Sequence, residues 1–117
     1  MVSVDGEFCL KEAYDAILQG DFELALKWFR QAIELEPGNA SYYYKASVTG
    51  ARSGKTALAK AWAAKAVELA PDEPVYRMHL KALEARELIG EARAKLEMAE
   101  PRPEEAIPLL VRAKELD

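Results

Sequence analysis

The chain has 117 residues, 50% of them apolar and 31% charged, which is enough for one domain to bury a core without disulfides or metals. Its 16 Lys and Arg against 20 Asp and Glu leave a net charge of −4, which argues against the dense basic face that broad nucleic-acid binding needs. One cysteine, Cys9, and one histidine, His79, exclude an intrachain disulfide, a multi-thiolate zinc site and most metal or triad chemistry.

The N-terminal ten residues carry Asp5 and Glu7 and lack both a basic start and an apolar stretch, so no secretory signal is expected. No apolar run approaches the roughly 18 residues a membrane span requires, and the cytoplasm is the expected location. The first apolar-periodic stretch, Phe8 to Leu18, predicts a helix, on which Cys9 is expected as a small buried side chain. Gly20 marks a turn, since glycine accepts a positive φ without strain. Leu24, Ala25, Trp28, Phe29, Ala32, Ile33 and Leu35 then recur mostly at spacings of three and four, one face of a second helix. Pro37, lacking an N–H, stops it. Tyr42 to Ala51 predicts a third helix, Gly54 a second turn, and the segment up to Pro71 a fourth helix. Gly20–Pro37 and Gly54–Pro71 superpose at a shift of 34 with no gap and share eight of 18 positions. Gly50-Ala-Arg-Ser-Gly54-Lys55-Thr56 looks like a phosphate-binding loop, but it has three residues between the glycines where the motif needs four, and no strand precedes it. It is expected to be the repeat's turn.

A 34-residue helix–turn–helix with Gly20, Asp21, Phe22, Ala25, Phe29, Ala32 and Pro37 in these places resembles the tetratricopeptide repeat (TPR) family. The second unit matches at Tyr43, Gly54, Ala59, Ala66 and Pro71, and departs at Thr56 and Ala63, where large aromatics are usual. In the first unit Cys9 and Glu12 replace the usual bulky residues. The resemblance implies an all-α fold: an α-α superhelix of three stacked antiparallel helix pairs, about six helices, in a single domain with repeats at approximately 6–39, 40–73 and 74–117.

The third unit departs most. Tyr76, Leu80, Leu83 and Leu88 fall in core register, but the glycine expected near position 88 is absent. The helical pattern runs on, predicting an elongated helix from about Val75 to Glu100, with a break at Gly90 as the competing reading. Pro101 and Pro103 end it, and residues 104–117 resemble a closing second helix. Val75, Met78, Ala82, Ala85, Ile89, Ala92, Leu96 and Ala99 are spaced alternately three and four, a heptad seam. The last helix is expected to fold back over this seam from Ile89 to Ala99, and, without excluding that, Ile89, Ala92, Leu96 and Ala99 are candidates to join a second copy into a homodimer. His79 falls between the two apolar faces and is expected to be a satisfied or solvated imidazole.

The resemblance also places a concave face on the first helix of each unit. Its groove residues become Leu10, Tyr14 and Ile17, then Tyr44, Val48 and Arg52, then Met78, Ala82 and Arg86. This mostly apolar surface suits a protein partner presenting an amphipathic helix or an extended apolar peptide. The family's tail-clamp subclass needs Lys and Asn where this chain has Leu10, Tyr14 and Val48, so that subclass is not expected. The predicted function is therefore a non-enzymatic interaction module or adaptor, without cofactor, metal, nucleic acid or membrane, that binds a peptide or helix, self-associates, or does both. A small escort chaperone that masks an amphipathic helix of a secretion or assembly client is the alternative.

Overall fold

Helix boundaries in this protein are written in its capping residues. In the computed structural model, which describes residues 4–98, the chain forms five helices: α1 Gly6–Leu18, α2 Phe22–Leu35, α3 Ala40–Arg52, α4 Thr56–Leu69 and α5 Pro74–Met98. The Asp5 carboxylate accepts the Phe8 N–H at 2.9 Å and starts α1. Asp21 and Asn39 do the same for α2 and α3. Pro74 opens α5, where its missing N–H costs no helical bond.

The 34-residue period is visible atom by atom. Gly20 and Gly54 have φ of 78° and 83°, the left-handed conformation that ends a helix in a Schellman motif. Asp21 N–H donates to the Ala16 carbonyl and Gly20 N–H to that of Ile17. One period later, Lys55 N–H donates to Gly50 and Gly54 N–H to Ala51. The loops after Leu35 and Leu69 repeat as well, with Asn39 N–H on the Glu36 carbonyl and Glu73 N–H on that of Ala70. Each tight turn reverses the chain, so α1 packs on α2, α3 packs on α4, and α2 joins the two pairs through α3. This is the stacked helix-pair architecture expected from the sequence. The sixth helix of that expectation falls on residues outside those described.

Small residues set how closely the helices approach. Ala13, Ala16, Ala25 and Ala46 are buried around Phe29, which is fully inaccessible. Cys9, Ala32 and Tyr42 form an adjoining cluster. Burial is the main cause that raises the Cys9 thiol's pKa, with the Asp5 charge adding to it, so the side chain behaves as a small neutral apolar group. In the second unit Ala63 stands one period after Phe29, and the space its small side chain leaves is taken by Leu83 of α5, with Ala59 alongside. Residues 74–84 of α5 are further held by Tyr76, stacked on Tyr44 at 4.9 Å, and by His79. Ser47 Oγ donates its proton to the Ala59 carbonyl at 2.6 Å and lies 2.8 Å from His79 Nε2. With the serine proton committed, Nε2 must be the donor, which fixes which imidazole nitrogen carries hydrogen.

The Tyr42 phenol donates to Glu36 Oε2 at 2.8 Å. Burial first, and the Glu36 carboxylate second, push its pKa up to about 12. Folding thus favours the neutral phenol. Its contribution is fully present below the ordinary tyrosine value of about 10 and is lost as pH rises through about 12. The stability difference between the native chain and Tyr42→Phe, followed by urea unfolding, should therefore shrink steadily above about pH 10. A difference that stays constant to pH 12 contradicts this.

The chain divides into two compact units, Met1–Glu84 and Ala85–Asp117. Within the second, residues 85–98 are helical and mostly exposed, and Gly90 does not interrupt them. Leu88 is 66% exposed, which corrects its expected place in the repeat core. Leu88 follows Leu83 by five residues, which turns it about 140° around the helix from that residue and out of the stripe that Leu80 and Leu83 share. Ala99 and the proposed fold-back of the last helix over the seam lie outside the described residues.

Candidate interaction groove

Helices α1 and α3 each turn one side of their surface away from the second helices. On α1 this side carries Tyr14 and Ile17, and on α3 it carries Tyr44, Lys45, Val48, Thr49 and Arg52. Together with Phe29 from α2 they line an open, mainly apolar cleft of about 280 Å³. Phe29 is its floor, and the Tyr14 ring meets it edge to face at 6.3 Å. Tyr44 holds the other end, fixed against Tyr76 and against the His79 ring at 5.3 Å.

Two cations stand at the cleft, and both lie over aromatic rings. Lys45 Nζ is 5.8 Å from the Tyr14 ring centroid, and the Arg52 guanidinium is 5.5 Å from that of Phe22. The Thr49 hydroxyl is spent on the Lys45 carbonyl at 3.1 Å, one turn back along α3. The cleft therefore presents apolar walls and hydrogen-bond donors on fixed rings.

Tyr14, Ile17, Tyr44, Val48 and Arg52, all expected at the groove, are brought together here. Leu10 instead packs against the clusters around Ala13 and Cys9, as Trp28 and Ile33 do, and is not among the cleft-lining residues. Met78 is 69% exposed and Ala82 is exposed, neither of them among the cleft-lining residues. Arg86 belongs to the second unit and is exposed, as are Ile89 and Ala92, with Leu96 half-buried. Phe29, Lys45 and Thr49 are the members that sequence reasoning left out. Phe29 fills the core and lies directly beneath the cleft, a double place that its spacing on α2 does not reveal. Lys45 could have been found from its spacing, three residues before Val48 and seven before Arg52.

The look-alike phosphate loop is a helix end followed by a turn. Gly50 is buried inside α3, where an added Cβ would come into contact with Ala59 and Trp62, and Lys55 pairs with Glu23 at 3.1 Å. Among the described residues no group of three or more His, Cys, Asp or Glu is placed to hold a metal ion, and no helix is long and apolar enough to cross a membrane.

Family models of the tetratricopeptide repeat match residues 6–39 and 40–73, two adjacent units that meet without a gap. The chain belongs to the tetratricopeptide repeat family. TPR repeats generally mediate protein–protein interaction, and proteins built from them are typically non-enzymatic scaffolds, so the expected kind of partner is another protein. No curated protein matches the chain. The cleft falls on the first helices of both matched TPR units, and its floor comes from the second helix of the first.

Proposed function

We propose that this TPR protein is a non-catalytic cytoplasmic adaptor that holds a partner's peptide or helix in the cleft between α1 and α3. We further propose that α5 is the first helix of a third unit. One observation carries the reading: an open cleft of about 280 Å³ with apolar walls on Tyr14, Ile17 and Val48 above the buried Phe29. Apolar surface turned to water is costly at roughly 25 cal/mol per Å², and a partner's apolar side chain relieves that cost. The expected result is saturable binding of amphipathic peptides, read by fluorescence anisotropy, that weakens at least tenfold in Val48→Glu. The glutamate puts a carboxylate where a partner's apolar side chain would sit, and at three residues from Lys45 and four from Arg52 it also takes up the cations of the cleft. Peptide binding unaffected by Val48→Glu contradicts the reading.

A second reading, self-association, has its own observation. In the second unit Leu88 and Ile89 are 66% and 52% exposed on one helix. Of these, Ile89 continues to Ala92 and Leu96 at spacings of three and four, an apolar stripe of the kind that suits a helix–helix contact between two copies. Absolute mass by light scattering should then give about 26 kDa at high concentration, twice the chain's 13.0 kDa. Ile89→Glu with Leu96→Glu should return a folded species of single-chain mass. An unchanged dimer in that variant excludes this face.

A further inference from the structure

Resting on the groove reading, we infer that the cleft's occupant is an amphipathic helix with two acidic side chains seven residues apart and an apolar pair between them. Every polar group offered at the cleft is a donor or a phenol. Among the described residues, Lys45 and Arg52 form no ion pair with a carboxylate, their charges resting on Tyr14 and Phe22. The hydroxyls of Tyr14 and Tyr44 make no hydrogen bond among those residues either, and Thr49 is satisfied by its own helix. Carboxylates would complete this set, and a cationic ligand would face two like charges.

The spacing selects the backbone. Lys45 and Arg52 are seven residues apart on α3, two turns or roughly 10.5 Å at about 1.5 Å per residue, with Val48 between them. A second helix laid along α3 has the same period, so its residues i and i+7 face both cations while i+3 and i+4 face Val48 and the apolar wall beside it. An extended strand covers that span in about three residues and points its two end side chains to opposite faces. The chain's net charge of −4 works against an acidic ligand at long range, so a preference for one must originate in the cleft.

The test uses the full chain and three blocked peptides of about 18 residues, long enough to hold helix. One has Glu at i and i+7 with Leu at i+3 and i+4. The second has Lys in place of both Glu. The third keeps the composition of the first but moves the second Glu to i+5, off the face. Anisotropy titrations at low salt should show the first peptide binding about tenfold tighter than either other, a gap that narrows as salt rises. Lys45→Glu with Arg52→Glu, checked for helix content by circular dichroism, should reverse the order of the first two. Equal binding of all three peptides, weakened in Val48→Glu, overturns the charge inference and leaves the groove reading standing. A gap that survives the charge reversal, or an acidic preference indifferent to register, also overturns it. No binding by any of the three overturns it as well, and fluorescence of a random-peptide pool then tests the groove reading by itself.

Discussion

Phe29→Ala should lower the stability of this protein by about 3–5 kcal/mol, the usual cost of emptying a fully buried aromatic site. Phe29 has no accessible surface, and its neighbours Ala13, Ala16, Ala25 and Ala46 are alanines. These short side chains cannot swing into the vacated space, which leaves only Tyr14 and the half-buried residues around the cluster to close it. A domain of this size has of the order of 5–15 kcal/mol in total, so a large share of the folding free energy is at stake. Urea unfolding followed by circular dichroism measures it. Phe29→Leu, which keeps most of the volume, should cost much less and separates cavity formation from loss of the ring. A loss below about 1 kcal/mol for Phe29→Ala would mean that the first unit's core is not built around this residue.

Leu83→Ala should act on a different part of the molecule. Leu83 is 2% exposed and is the buried residue of α5 that meets Ala59 and Ala63. Its removal should cost about 2–5 kcal/mol. In repeat proteins each unit touches only its neighbours, so the loss should be local. Amides of residues 76–84 should lose hydrogen-exchange protection, while those of Gly6–Leu35 keep theirs. Tyr76 against Tyr44 and His79 against Ser47 remain, but both are polar or half-buried contacts that add little without the leucine. Uniform loss of protection across all helices, or none, contradicts the view that Leu83 is what holds residues 74–84 of α5 to the second repeat.

The parts of the fold legible in the sequence are those set by local chemistry repeated at a fixed interval. Gly20 and Gly54 could be read as left-handed turns because few other residues accept that conformation. Ala25, Phe29 and Ala32 could be read as core because their spacing is that of a helix face. The continuity of α5 through Gly90 was also expected, since one glycine costs only about 1 kcal/mol in a long helix. What escaped was pairing across elements. Leu83 filling the space beside Ala63 joins residues twenty apart in sequence, and no local pattern announces it. Leu10 and Tyr44 occupy equivalent places in their repeats, yet one turns into the core and the other lines the cleft, because their neighbours differ. Leu88 stands five residues after Leu83, a step that leaves the three- and four-residue register of Tyr76, Leu80 and Leu83, so its apolar character alone does not put it in the core.

The claim most worth testing is that the cleft between α1 and α3 is where a partner segment sits. Methyl-labelled protein followed by NMR, as the tightest-binding helical peptide is added, addresses it directly. The account predicts saturable shifts at Ile17 and Val48 with Leu88 and Ile89 unmoved. Shifts confined to Leu88 and Ile89, with Ile17 and Val48 silent at saturation, would contradict it.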